Sequence, residues 1–139
     1  RMVKEKGINL FYSSVENRKL CCNVRKVIPL EKKLSNLDAW ITGLRKDQND
    51  NRSSFTKIEI DIRKKKILKY NPLIDWGFKE VFDYIKKNNV PYNKLHDLDY
   101  PSIGCAPCTR GIKAGESSRA GRWYWESEGN TECGLHSRD

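Results

Sequence analysis

Residues Thr56-Lys57-Ile58-Glu59-Ile60-Asp61-Ile62 alternate strictly between polar and apolar, the period of a strand with one covered face. A second β-like run, Lys66-Ile67-Leu68-Lys69-Tyr70, follows three residues later, so the two predict a hairpin that Asn71-Pro72 ends. The pattern then changes period. Phe78, Val81, Phe82 and Ile85 fall at i, i+3, i+4 and i+7, which predicts a helix capped by Asp75, stopped by Asn88-Asn89 and Pro91, with its apolar stripe in the core. Upstream, Ile8-Asn9-Leu10-Phe11-Tyr12 is apolar and strand-like, and Ser13-Ser14 with Glu16-Asn17 offers a helix start, placing Cys21 and Cys22 on that helix. Pro29 suits the first residue of a further turn, with Leu30 and Leu34 on one face. Ala39-Trp40-Ile41-Thr42 reads as a short buried strand ending at Gly43. The polar stretch from Arg45 to Ser54 has no periodicity and predicts a loop, and loops at strand ends are where α/β proteins place ligand contacts. From Asp97 to Asp139 the chain is rich in Gly, Ser, Cys, Arg and Trp without periodicity, a region organised by something other than its own core.

At 139 residues the chain is a one-domain quantity. Its mean hydropathy of −0.77 and 32% charged residues exclude an integral membrane protein, and no window approaches the roughly 20 apolar residues a membrane helix needs. The basic start Arg1-Met2-Val3-Lys4 is not followed by a signal-peptide apolar run, so a cytoplasmic location is expected. Four Trp, six Tyr and four Phe argue against disorder. A net charge of +9 points to a polyanionic partner: nucleic acid, an acidic membrane surface, or a small substrate bearing phosphate or sulfate. Nucleic acid is weakened as a candidate because four metal-bound thiolates would lower the folded charge by up to about four before the metal is counted. Part of the excess also sits in solvated runs such as Lys64-Lys65-Lys66.

The cysteines sharpen the picture. Five of them in a small chain of this type are metal ligands or catalytic groups more often than disulfides. Cys21 and Cys22 are adjacent, with α-carbons about 3.8 Å apart, below the 4.4–6.8 Å a disulfide spans. Cys105-Ala-Pro-Cys108 is a C-x-x-C in a loop, and with the adjacent pair it makes four soft sulfur ligands, suited to zinc or to an iron–sulfur cluster; redox or incidental roles also remain open. Cys133, in Glu132-Cys133-Gly134-Leu135-His136, is the odd one. It is a candidate nucleophile whose thiolate His136 and nearby arginines favour and Glu132 opposes, the other reading being an inert surface thiol. Arg119 and Arg122, three apart among Ser and Gly, can present forked donors to one oxyanion.

Taken together, these blocks resemble the C-terminal part of the assimilatory adenylyl-sulfate (APS) reductases, the iron–sulfur branch of the APS/PAPS reductase family. The motifs are Cys21-Cys22 followed by Arg25-Lys26 and Pro29-Leu30; Trp40-Ile41-Thr42-Gly43 with Arg45 and Asp47-Gln48; Gly104-Cys105-Ala106-Pro107-Cys108-Thr109; Arg119-Ala120-Gly121-Arg122-Trp123; and Glu132-Cys133-Gly134-Leu135-His136. The resemblance covers essentially the whole chain. It implies an α/β fold with an adenine nucleotide alpha hydrolase-like (Rossmann-like) sheet and flanking helices. Residues 1–128 are then the C-terminal part of the domain with the cluster loops, and 129–139 a mobile tail. It further implies that Cys21, Cys22, Cys105 and Cys108 ligate a 4Fe-4S cluster that shapes the site without carrying electrons. Cys133 becomes the nucleophile that attacks the sulfur of adenylyl sulfate, releasing AMP and leaving an S-sulfocysteine, from which thioredoxin or a glutaredoxin-like dithiol frees sulfite. Lys26, Arg119, Arg122 and His136, with Arg52 a weaker match, are implied to hold the sulfate and phosphate oxygens. Two departures accompany the match: nothing corresponds to the family's N-terminal nucleotide-binding half with its phosphate loop, so the chain reads as a fragment, and no fused thioredoxin-like domain follows, which suggests an external donor. A homo-oligomer is compatible with this reading; nucleic-acid and membrane partners are not expected. The alternatives are a reductase of phosphoadenylyl sulfate (PAPS) or of both nucleotides and, more remotely, a zinc-stapled basic nucleic-acid-binding module.

Overall fold

The computed structural model describes residues 2–61, 66–126, 135 and 136. The chain divides into two compact units, residues 1–37 with 125–139 and residues 38–124, and each is described by itself.

The first unit opens with α1 (Met2–Lys6). The apolar run after it is not the expected strand but a tight 3-10 turn, Leu10–Tyr12, with Leu10 and Phe11 buried. The reason is local. Ser13 donates from both its backbone N–H and its hydroxyl to the Leu10 carbonyl, at 3.2 and 2.6 Å, which closes the chain on itself. The rings then pack on one another and on Trp125, with centroids 4.6 Å (Phe11–Tyr12) and 4.4 Å (Tyr12–Trp125) apart. The predicted helix start is present: the Ser14 hydroxyl accepts from the Asn17 N–H at 3.1 Å and caps α2 (Val15–Cys22), which carries Cys21 and Cys22. Helical backbone continues through a wider π turn, Asn23–Val27, into α3 (Ile28–Leu34). Pro29 explains the widening. It has no N–H for the preceding turn and its ring crowds the carbonyl four residues back, so Ile28 reaches back five residues to Asn23 instead. The π turn falls directly after the cysteine pair and holds Lys26.

The most deeply placed charge in this unit is Arg18, only 1% exposed, one helical turn before Cys22. Its guanidinium donates to both carboxylate oxygens of Glu126, at 2.9 and 2.8 Å, and lies beside the Cys22 thiol. The hydrogen bond to Glu126 is the main cause that holds the Arg18 pKa above its ordinary value, with burial opposing it.

The second unit contains a three-stranded mixed sheet in the order β1-β3-β2, formed by β1 (Ala39–Ile41), β2 (Ile58–Asp61) and β3 (Ile67–Tyr70). The hairpin expected between β2 and β3 is there, antiparallel, with Ile58 opposite Tyr70 and Ile60 opposite Leu68. β1 pairs parallel to β3, with Ile41 opposite Tyr70. Which face is covered runs against the alternation. Ile41 is 76% and Ile60 61% exposed, whereas Lys69 is 3% exposed and Asp61 is buried. The covered face is built around charge: Lys69 pairs with Glu59 at 3.4 Å and sits over the Phe55 ring at 4.4 Å. β1 is therefore not the buried strand expected. The buried apolar cluster is drawn instead from the connecting segments, where Leu44, Phe55 and Ile74 pack together.

Asn71, fully buried, ties this core to the sheet. It accepts from the Thr42 hydroxyl, its side-chain amide donates to the Thr56 carbonyl at 2.8 Å, and its backbone N–H donates to the Lys57 carbonyl at 2.7 Å. α4 (Phe78–Lys87) forms where predicted and stops at Asn88-Asn89, Asn89 taking left-handed backbone. Two details differ. Gly77 rather than Asp75 occupies the cap, because Asp75 is drawn to Lys46 at 2.8 Å and Lys57 at 3.9 Å. The apolar stripe is also not core: Phe78 is 45% exposed and no residue of α4 is buried, the Phe82 ring packing against Tyr92 and His96 of the segment that follows.

Candidate functional site

The loop that follows β1 turns twice, through 3-10 turns at Lys46–Gln48 and Asp50–Arg52, where the sequence predicted irregular chain. These turns aim side chains into a cavity of about 420 Å³ within the second unit. Arg45, Asp47, Gln48 and Arg52 enter from this loop, and Phe78 from the start of α4. His96 comes from the turn Lys94–Leu98, Ser102 and Ile103 from the segment before the C-x-x-C, and Ser118, Arg119 and Arg122 from the segment after it. The strand-end loop, expected from sequence to carry ligand contacts, thus borders a concavity.

The arginines are held by a polar frame. Arg45 Nε donates to Asp47 at 2.9 Å; Gln48 Oε1 accepts from the Arg45 backbone N–H at 3.3 Å and from the buried Arg52 guanidinium. Arg122 reaches the Ser102 hydroxyl and the Ile103 carbonyl at 3.3 Å each, and its guanidinium stacks 4.7 Å from the Trp123 ring. Gly104 makes that placement feasible: a β-carbon there would lie 2.5–2.8 Å from three guanidinium atoms of Arg122. The arginine segment is also braced against the C-x-x-C. Trp123 N–H donates to the Cys108 carbonyl at 3.1 Å, Thr109 bridges Arg122, and the Thr109 hydroxyl accepts from Gly104 N–H at 3.0 Å and donates to the Cys105 carbonyl at 3.1 Å. Gly121 permits the crossing, because a side chain there would fall on the Arg110 carbonyl.

Four guanidinium groups around one carboxylate leave the cavity strongly positive, and guanidinium stays charged at every accessible pH. Arg122 and His96 each also keep one buried nitrogen, Nε and Nδ1, without a hydrogen-bond partner among the described residues. The arrangement suits a ligand that brings several acceptor oxygens and negative charge, such as a sulfate or phosphate ester.

Of the residues singled out from sequence, Arg52, Arg119 and Arg122 meet in this cavity. Lys26, in the π turn, and His136, both half-buried, belong to the other unit. Cys133 and the rest of the proposed tail, apart from Leu135 and His136, lie outside the described residues, as does most of the Lys64–Lys66 run. Arg45 and His96 were not assigned to the site by sequence reasoning. Arg45 stood within a quoted motif, but His96 carried no periodic or spacing signal and is found only through the fold.

Cys21, Cys22, Cys105 and Cys108 form no disulfide among the described residues, and Cys22 and Cys108 are buried. Cys105 and Cys108 flank a 3-10 turn closed by a 2.9 Å bond from Cys108 N–H to the Cys105 carbonyl. Among the described residues, neither unit gathers three or more His, Cys, Asp or Glu side chains by itself. The donor chemistry, two pairs of soft thiols outside any disulfide, fits a thiolate-bound metal group.

Fold and cavity define an α/β protein with an arginine-lined cavity and a paired-cysteine signature. Comparison with known proteins agrees. The phosphoadenosine phosphosulfate reductase domain matches residues 2–111, and the chain belongs to that family. Relatives named adenosine 5'-phosphosulfate reductase from Burkholderia cepacia and Neisseria meningitidis serogroup B are 53% and 50% identical, each over 98% of this chain. The chain spans about half of their length, 54% and 55% respectively. Among solved structures, the phosphate complex of phosphoadenylyl-sulfate reductase from Candida auris is similar, with a TM-score of 0.61 and 36% identity over 76% of this chain and 49% of that one. The likeness supports the expected α/β, nucleotide alpha hydrolase-like class. No helix among the described residues is long and apolar enough to cross a membrane.

Proposed function

We propose that this chain forms the arginine- and cysteine-bearing part of an enzyme that reduces adenylyl sulfate to sulfite and AMP in sulfate assimilation. The observation that carries the reading is the convergence of Arg45, Arg52, Arg119 and Arg122 on one cavity in a chain of this family. The thiolate of Cys133 attacks the sulfur of the sulfo group, the bond from sulfur to the phosphate oxygen breaks, and AMP departs with that electron pair. Cys133 is left as S-sulfocysteine. One thiolate of a dithiol donor, thioredoxin or a glutaredoxin-like protein, then attacks the Cys133 sulfur, and sulfite leaves with the S–S electron pair. The donor's second thiol closes its own disulfide and returns Cys133 as a thiol, so the donor supplies the two electrons. The arginines, with Lys26 and His136, neutralise the charge on the sulfo and phosphate oxygens as it shifts toward the leaving group.

Cys21, Cys22, Cys105 and Cys108 would hold a 4Fe-4S cluster, which supplies structural and electrostatic shaping of the site. Residues 1–128 then form the C-terminal part of the α/β domain with its cluster loops, and 129–139 the mobile tail bearing Cys133. Cysteines held outside disulfides suit a reducing, cytoplasmic setting. A second reading, reduction of phosphoadenylyl sulfate, is favoured by the matched family's description and by the name of the Candida auris relative.

Sulfite release by the anaerobically purified full-length enzyme, with each nucleotide and reduced thioredoxin, tests the proposal. Turnover of adenylyl sulfate is expected, lost in Cys133→Ser with iron retained, whereas Cys105→Ser should lose iron. Turnover of phosphoadenylyl sulfate alone, or sulfite from Cys133→Ser, would overturn the reading.

A further inference from the structure

We infer that Thr109 is a positioning residue for the arginine cavity: its hydroxyl fixes the Ile103–Gly104 peptide and, through that peptide, the guanidinium of Arg122. The inference rests on the proposed reading of that cavity and adds a residue that bears no thiol and is not itself among the cavity-lining side chains.

A peptide unit is planar, so its C=O and N–H turn together. The Ile103–Gly104 peptide is held on both sides. Its N–H, from Gly104, donates to Thr109 Oγ1 at 3.0 Å, and its C=O, from Ile103, accepts from Arg122 NH1 at 3.3 Å. The Thr109 hydroxyl has a single hydrogen, which it gives to the Cys105 carbonyl at 3.1 Å. That carbonyl also accepts from the Cys108 N–H at 2.9 Å, the bond that closes the C-x-x-C turn. A continuous run of dipoles therefore leads from the cysteine turn through Thr109 and one rigid peptide to Arg122, each bond polarising the next.

Arg122 is sensitive to that peptide for two reasons. Its guanidinium lies directly against Gly104, where a β-carbon would stand 2.5–2.8 Å from three of its atoms. Its two acceptors, the Ser102 hydroxyl and the Ile103 carbonyl, both belong to the segment that runs into Gly104, and both bonds are 3.3 Å long. Bonds of that length have little margin, so a modest rotation of the peptide breaks them. The segment from Ser102 to Gly104 lies outside every helix and strand, so no ladder sets its course. The Thr109 hydroxyl supplies the missing anchor.

Val copies the shape of Thr and suits the extended backbone at residue 109 (φ −144°, ψ 132°) but has no hydroxyl, whereas Ser keeps it. The full-length enzyme, purified anaerobically, is assayed for kcat/KM with adenylyl sulfate at equal iron content, and hydrogen exchange of the Gly104 amide is followed alongside. Thr109→Val should exchange that amide about tenfold faster and lower kcat/KM about tenfold, with Thr109→Ser within about threefold of the wild type on both counts, as loss of a hydrogen bond that orients a charged group requires. If Thr109 acts through Arg122, Thr109→Val should cost nothing further in an Arg122→Ala background. Unchanged exchange at Gly104 in Thr109→Val would overturn the clamp. Equal losses with and without Arg122 would overturn the route through Arg122 and leave Thr109 a structural residue only. Faster exchange at Gly104 together with undiminished kcat/KM in Arg122→Ala would leave the clamp standing and overturn the reading of the cavity.

Discussion

Gly104→Ala separates the anion site from the stability of the fold. The methyl group would stand 2.5, 2.6 and 2.8 Å from NH2, Cζ and Nε of Arg122, where van der Waals contact needs about 3.5 Å, so the guanidinium must retreat by about 1 Å. In moving it gives up its two 3.3 Å bonds, to the Ser102 hydroxyl and the Ile103 carbonyl, and its position 4.7 Å from the Trp123 ring. The cost falls on the site rather than on the fold. Gly104 does not use left-handed backbone, and the obstacle is the far end of a flexible side chain, so stability should change by no more than about 1 kcal/mol. Loss of one aligned hydrogen bond to a charged group is worth about 1.5–3 kcal/mol, which corresponds to roughly a 10- to 150-fold weaker anion affinity. Sulfate titration followed by tryptophan fluorescence reads the affinity, and urea unfolding reads the stability. Sulfate affinity equal to that of the wild type would refute the placement of Arg122 in the anion site. A stability loss of several kcal/mol would refute the claim that only the side chain must yield.

Two further outcomes follow from the ion pairs. Glu126→Gln removes the partner of a 1%-exposed arginine whose two bonds measure 2.9 and 2.8 Å, and leaving such a charge buried and half-satisfied should cost about 3–5 kcal/mol in urea unfolding; a loss below about 1 kcal/mol would show the pair to be solvent-screened. The Glu116 carboxyl is lowered from 4.5 to about 2, mainly by the Arg110 guanidinium at 2.7 Å and next by the Lys113 backbone N–H. Because the folded value lies below the unfolded one, the stabilisation is complete above pH 4.5 and is lost as pH falls toward 2. Glu116→Gln should flatten stability against pH in that window and leave the slope above pH 5 unchanged, and an unaltered acid limb would contradict the assignment.

What the sequence determined on its own is what depends on neighbours along the chain. The hairpin of β2 and β3, the Ser14 cap, the helix under Cys21 and Cys22 and the stop at Asn88-Asn89 all follow from period and capping, which act over a few residues. The spacing of the cysteines and of Arg119 and Arg122 likewise exposed the candidate chemistry. Tertiary structure decided the rest, because burial and convergence depend on what arrives from elsewhere. The run at Leu10–Tyr12 had strand-like residues, but its Leu10 carbonyl found Ser13 and its rings found Trp125. Strict alternation marked the two faces of β2 without saying which would be covered, and the charged face carrying Lys69 and Glu59 is the one enclosed, through their pairing and the rings of Phe55 and Trp40. Arg45 and His96 stand 51 positions apart and share no motif. Only the turns after β1 and α4 bring them to one cavity, where a run of unremarkable polar residues becomes an arginine-lined concavity.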